Sequence, residues 1–281
     1  MDPASDGLRL DRFLSLRIRR LSRARAARLE VIDLDDPART LKKASAVRAG
    51  QRLWARRPTP DAGAAFDPPT VLAEDADLLV LDKPAGLAVH PTAARFEATV
   101  TRWLARHHPG AEPVHRLDVE TSGVLVCARH AMAHRALKTA FAERGVHKRY
   151  RAVVEGLPAA DAWRVDTPLG FDATSAVRLK MGPGDLPAQT AFTVVRRGRR
   201  RALVEAEPLT GRQHQIRVHL ALSGHRLVGD KLYGPDERIF LPQLEGAVTE
   251  RMWGALGHPR HALHAAALTL TWRGAPRRFE A

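Results

Sequence analysis

Cys127 is the only cysteine in the 281 residues. That excludes an intramolecular disulfide and every cysteine-based zinc motif, and it suits a reducing, cytoplasmic setting. The chain has neither a GxxxxGK(S/T) nor a GxGxxG loop, so nothing is set up to cradle a nucleotide and no cofactor is expected. His214 and His219 are five residues apart, roughly 140° around a helix, whereas two ligands sharing one helical face need a spacing of three or four; no metal site is expected. No run approaches the ~18 apolar residues that span a bilayer, and the N-terminal stretch is interrupted by arginines and by Asp2, Asp6 and Asp11. A signal peptide, a transit peptide and a membrane partner are therefore not expected. Aromatics are scarce as well, with two tyrosines in all, so each tyrosine has to be accounted for.

What the chain does have is positive charge. Forty-five Lys and Arg face thirty-one Asp and Glu, a net +14. The surplus is uneven: residues 1–57 hold fifteen basic and seven acidic residues, +8 of the total. A basic surplus concentrated in about a fifth of the chain is the footprint of a phosphate-backbone binder, and structured RNA is the expected partner.

Leu10, Phe13, Leu14 and Ile18 recur at helical spacing, and Ser22 offers an N-cap to the following RARAARLE, so two short helices, the second heavily basic, open the chain. Arg23, Arg25 and Arg28 on that second helix, with Lys42 and Lys43 in the LKKAS segment, are the candidate RNA contacts. The Pro-, Ala- and Gly-rich stretch after Arg57 reads as a linker over 58–70, dividing a small basic domain, 1–57, from a large one, 71–281. In the large domain DLLVLDK, GVLVCA, KRYRAVVEG, TAFTVVRR and RALVEAEPL have strand character. TVTRWLARHH and HAMAHRALKTAFAER have helical spacing, the latter stopping at Gly145. Strands with irregular helical insertions and no steady alternation point to an α+β fold on a mixed, largely antiparallel sheet. A monomer is expected.

Three polar segments at element ends carry the chemistry: HRLDVETSG at 115–123, HKRY at 147–150 and TGRQHQIRVHL at 210–220. An aspartate on a turn that feeds a strand, as Asp118 does, is either a cap or a reagent held at a sheet edge.

HRLDVETSGVLV resembles the signature of the RluA-type pseudouridine synthases, and the resemblance continues through LDKPAGLAVHP, KRY, TGRQHQIRVHL, GDKLYG and HALHAA in the family's order, covering roughly residues 72–270. The N-terminal segment resembles the small S4 RNA-binding module that often precedes that domain. The resemblance implies the pseudouridine synthase fold and a cofactor-free isomerisation of uridine: the N1–C1′ bond breaks, the base turns, and C5 bonds to C1′. It makes Asp118 the catalytic carboxylate, Arg212 the arginine that pairs with it, and Tyr150 the phenol set against the base. A guanidinium suits that pairing because it stays charged and grips a carboxylate with two prongs. Arg116 would steady a flipped-out nucleotide. His115 either positions the same loop or is a buried, hydrogen-bonded histidine. Ile216 is either the pocket wall under the base or ordinary core. Tyr233, in GDKLYG, is read as structural.

The leading reading is thus an RNA pseudouridine synthase, with large-subunit rRNA favoured over tRNA as substrate. A non-catalytic S4-type RNA-binding or assembly protein is the alternative outside enzymology. A glycosidic hydrolase would need a second placed carboxylate, and neither Glu120 nor Asp230 has the setting of one.

Overall fold

The computed structural model describes residues 5–18, 21–27, 29–39, 41–56, 65–92, 95–143, 145–240 and 249–281. The chain divides into two compact units, Met1–Ala62 and Gly63–Ala281.

In the first unit α1 (Leu10–Arg17) and α2 (Arg23–Ala26) are followed by β1 (Glu30–Asp33) and β2 (Leu53–Arg56), which pair antiparallel. Leu10, Phe13, Leu14, Ala26 and Val47 form its core. Ile18, expected on the helix, is instead its extended C-cap and is exposed. Of the candidate RNA contacts, Arg23 is exposed and ion-paired to Asp11 (3.4 Å), and Lys42 and Lys43 are exposed on a turn. Arg28 and the side chain of Arg25 lie outside the described residues, as do 58–64 of the expected linker; Thr70, read as its last residue, opens a strand.

The second unit is built on a ten-stranded sheet. In chain order its strands are β3 (Thr70–Glu74), β4 (Leu78–Lys83), β5 (Glu112–Pro113), β6 (Ser122–Ala128), β7 (Val146–Glu155), β8 (Ala162–Val165), β11 (Thr190–Arg197), β12 (Arg201–Pro208), β13 (Leu263–Trp272) and β14 (Ala275–Glu280). Between them, β9 (Leu169–Phe171) and β10 (Met181–Pro183) make a separate two-stranded ribbon. The helices are α3 (Val100–His107), α4 (Ala131–Ala142), α5 (Gln215–Leu222) and α6 (Glu250–Leu256). The spatial order is β3-β4-β6-β13-β7-β12-β11-β8, with β5 beside β6 and β14 beside β13.

Every pairing in the sheet is antiparallel except one. β6 and β13 run parallel through two residue pairs, His264 with Ser122 and Ala265 with Gly123. Beyond that junction β13 takes β14 as its neighbour, from Ala267 to Trp272. β6 and β13 approach so closely that a Cβ on Gly123 would lie 2.2 Å from the Ala265 carbonyl oxygen, and Gly123 also holds a φ of +109°. Only glycine meets both demands.

The unbroken apolar runs LLVL and VLVC are explained by burial on both faces. Leu78 and Val80 with Val124 and Val126 pack under Ala133 and Leu137 of α4. Leu79 and Leu81 with Leu125 and Cys127 pack under Val100 and Leu104 of α3. A strand covered on both sides loses the polar alternation that marks a half-exposed one. Across the β6–β13 junction, α5 lies on β7 and β12, with Ile216 and Leu220 against Ala152, Val154, Val204 and Ala206. No described helix is long and apolar enough to cross a membrane.

Candidate active site

Asp118 sits on the turn that leads into β6, where the Thr121 N–H donates to the Asp118 carbonyl (3.1 Å). Two clasps fix that turn. The first is Lys83, fully buried at the end of β4, whose Nζ donates to the carbonyls of Pro84 (2.9 Å), Leu87 (2.8 Å) and Val119 (3.2 Å). Burial, opposed by the nearby Asp118, lowers its pKa to about 7. A lysine that spends its donors on three carbonyls ties the KPAGL turn to the residue next to Asp118. The second clasp is Glu120, which accepts from Lys231 Nζ (2.5 Å) and from the His261 N–H (2.9 Å). His261 in turn bonds Thr121 through Nε2 (2.8 Å).

The cation beside Asp118 is Arg217. Its Nη1 donates to Asp118 Oδ2 (2.9 Å), while Nε and Nη2 grip the Asp230 carboxylate at 2.7 and 2.9 Å. Asp230 Oδ1 also accepts from the Leu232 and Tyr233 N–H groups. Burial alone would push Asp118 up; the Arg217 charge outweighs it and holds the carboxyl at about 2. Asp118 is therefore an anion at neutral pH although only a fifth of its side chain is exposed.

The expectation that Arg212 pairs with Asp118 fails. Arg212 is exposed, its Nε donates to the Pro187 carbonyl (3.0 Å), and its N–H donates to Gln215 Oε1 (2.9 Å). It precedes α5 on the rim of the cavity, whereas Arg217 lies within the helix, in a stretch buried all round from Gln215 to Leu220. That apolar setting is the signal in favour of Arg217. A charge inside a buried helix demands a carboxylate partner, and Asp118 and Asp230 are both supplied by the neighbouring motifs.

A cavity of about 550 Å³ opens over Asp118, lined also by His115, Arg116, Lys148, Tyr150, Arg212, His214, Ile216 and Arg217. Tyr150 comes from β7, in register with Ala206 and Ala265; burial and the Asp118 charge push its phenol pKa upward, so it stays protonated. Arg116 is exposed and lines the cavity. Ile216 joins the two roles left open, since it packs in the core beneath β12 and also lines the cavity. His115 accepts from the Val126 N–H (3.0 Å) and stacks on Phe141; burial lowers its pKa to about 3, which keeps it neutral. Its bonds are those of a residue that holds the loop against β6.

An ionised carboxylate gripped by a buried arginine, under a cavity walled by a phenol and an apolar side chain, can act on a sugar carbon next to a planar base. A family profile described as RNA pseudouridylate synthase matches residues 77–222. A relative from Zymomonas mobilis, ribosomal large subunit pseudouridine synthase D, is 34% identical over 93% of this chain and 85% of its own. The chain belongs to the RluA-type RNA pseudouridine synthases. The dual-specificity RNA pseudouridine synthase RluA of Salmonella typhimurium is 37% identical over 73% of this chain and 90% of its own. Among solved structures, human RNA pseudouridylate synthase domain containing 4 superposes with a TM-score of 0.59 at 27% identity, covering 75% of this chain and 87% of that one. Human RNA pseudouridylate synthase domain containing 1 shares the fold, with a TM-score of 0.63 at 24% identity over 80% and 85% of the two chains. This pseudouridine synthase is an isomerase acting on RNA.

Proposed function

We propose that this pseudouridine synthase modifies uridines in structured large-subunit ribosomal RNA, with Asp118 as the catalytic carboxylate, Arg217 as its partner and Tyr150 against the base. The observation that carries the assignment of roles is the Arg217 bridge: it keeps Asp118 charged in a site that excludes much of the water. An anionic carboxylate is required whether Asp118 attacks the ribose carbon or withdraws a sugar proton. Arg116, at the cavity mouth, is suited to fill the gap left by a flipped-out nucleotide. Ile216 forms the floor under the base. His115 positions the loop.

The choice of RNA rests on the names of the relatives, several of which are ribosomal large subunit pseudouridine synthases, and on the basic N-terminal unit. That unit serves as an S4-like RNA-binding module whose exposed cations, Arg23, Lys42 and Lys43, meet phosphates, with Arg25 and Arg28 in the same segment. Pseudouridine mapping of total RNA from cells with and without the protein tests this. Loss of one or a few large-subunit positions is expected; loss confined to tRNA would assign the enzyme to tRNA instead.

A further inference from the structure

His214 occupies an unusual backbone position for what looks like a helix cap. Its φ is +54°, one of two positive values among the described non-glycine residues. It caps α5 without any side-chain bond to the helix. A left-handed, non-glycine residue at an active site is held there by its surroundings, and here the holder is Tyr233. The Tyr233 hydroxyl lies 2.8 Å from His214 Nδ1, and the two rings meet edge to face.

A third group bears on the direction of that hydrogen bond. Among the described residues the Tyr233 hydroxyl meets the Met181 N–H, which can only donate (2.8 Å), and His214 Nδ1, so its own proton has a partner when Nδ1 accepts and none when Nδ1 is protonated. Nδ1 is then the acceptor, and the ring proton sits on Nε2. Nε2 faces the cavity, 3.9 Å from Asp118 Oδ1. That is too far for a hydrogen bond. Burial and the Arg217 charge lower the His214 pKa to about 4, outweighing the pull of Asp118 and Asp230, so the ring is neutral and stays a single-proton donor at neutral pH.

A donor and a carboxylate acceptor separated by 3.9 Å are spaced for a group that accepts from one and donates to the other. A carbonyl oxygen would accept from Nε2–H but be repelled by the carboxylate; a hydroxyl satisfies both. Within an RNA chain the 3′ and 5′ oxygens are phosphodiesters, so the target uridine offers a single hydroxyl, the 2′-OH, on the carbon next to the reacting C1′. We infer that His214, oriented by Tyr233, donates from Nε2 to the 2′-hydroxyl of the target uridine, which in turn donates to Asp118 Oδ1. The bridge places C1′ at the carboxylate and makes the site select ribose over deoxyribose. Tyr233, read as purely structural, thereby becomes a positioning residue.

This inference rests on the uridine-isomerising activity but not on which RNA is the natural substrate. The test uses the full-length protein and a transcript containing the mapped uridine, with either uridine or 2′-deoxyuridine at that position. Variants are His214→Phe, which keeps a ring and loses the donor, His214→Gln, which restores an N–H, and Tyr233→Phe, which removes the orienting proton. Thermal melts check that each is folded. His214→Phe is expected to slow single-turnover conversion of the ribose substrate about 10²-fold, the loss typical of one active-site donor. Affinity for the ribose transcript should fall no further than to that of the deoxy transcript, and His214→Gln should recover part of the rate. Wild type should bind the ribose transcript more tightly than the deoxy one, and that preference should vanish in His214→Phe. In the free protein, long-range ¹H–¹⁵N spectra of the imidazole should show the Nε2–H tautomer, lost in Tyr233→Phe. A ribose preference that survives in His214→Phe overturns the inference, as does an Nδ1–H tautomer in wild type. Failure of wild type to convert any RNA would instead count against the activity and the proposed substrate, and the tautomer measurement would still decide the orientation of His214.

Discussion

Arg217 bonds Asp118 and Asp230 at once, at 2.9 Å to the first and 2.7 Å to the second. The guanidinium is thereby shared between a carboxylate that faces the cavity and one that faces the interior. Removing it leaves Asp230, whose side chain is fully buried, as an unpaired charge. Arg217→Met should cost on the order of 3–5 kcal/mol of stability and abolish isomerisation. Arg212→Ala, at the exposed rim, should change stability by no more than about 0.5 kcal/mol. Denaturant melts of the two variants side by side check the assignment; comparable destabilisation would contradict it.

Asp118→Asn keeps the shape of the side chain and leaves Arg217 its two bonds to Asp230, so the variant should fold and bind RNA nearly as wild type does. It should show no detectable conversion in a single-turnover assay, because the amide lacks both the charge and the basicity of the carboxylate. Retention of even about a tenth of the wild-type rate would remove Asp118 from the centre of the reaction; a true loss of the reagent is expected to cost far more.

His115, His214 and His261 are held neutral, with pKa values lowered to about 3, 4 and 4 by burial first of all. The unfolded chain binds protons at these positions near pH 6.5, whereas the folded chain refuses them until pH 4 or below. The stabilisation is complete above pH 6.5 and drains away as pH falls through that value, each histidine contributing about 1.4 kcal/mol per pH unit in the window down to its folded pKa. Melting temperature should therefore drop steeply from pH 7 to pH 5. Replacing His115 by Gln, which retains an acceptor for the Val126 N–H, should flatten that slope by about one proton. An unchanged slope would show that His115 protonates in the folded state.

Gly123→Ala introduces a Cβ into the carbonyl of Ala265 and strains a positive φ. The variant should lose several kcal/mol, on the order of the largest single-site effects, and its β6–β13 junction should exchange amide hydrogens faster than the β4–β6 pairing beside it. Equal protection of both pairings would argue against a strained junction.

Deleting residues 1–62 removes the basic unit and leaves the site whole. Affinity for the natural RNA should fall, and the dependence of log K on log salt should become shallower by roughly 0.7–0.9 for each phosphate that the protein no longer neutralises, while slow conversion of a short stem-loop persists. Equal salt slopes for the two proteins would mean that the N-terminal cations do not touch the RNA.

How much of this can be read from the sequence differs residue by residue. Asp118 and Tyr150 stand out because each lies in a compact motif at an element boundary, and the apolar runs of β4 and β6 announce themselves by length. Place in a motif favours Arg212 over Arg217; helical burial, which separates an exposed N-terminal arginine from one five residues later, is a tertiary fact. Lys83 is visible only as part of a turn, since its three carbonyl partners come from two segments. β13 escapes a sequence reading because ALHAAALTLTW lacks a turn signal within it and its partners β6 and β7 lie more than a hundred residues away. His214 and Tyr233 are nineteen residues apart, and no periodicity links them.

The single parallel junction between β6 and β13 has a consequence for when activity can appear. Asp118 precedes β6, while Tyr150 and Arg217 belong to the elements on the far side of β13. β13 follows all three in the chain. During synthesis every reacting group leaves the ribosome before the strand that draws them together, so the chain carries its complete chemistry in an unassembled state until residues 263–272 dock. A nascent enzyme of this design meets the surrounding RNA as a basic polymer first and as a catalyst only when that strand has zipped the two halves shut.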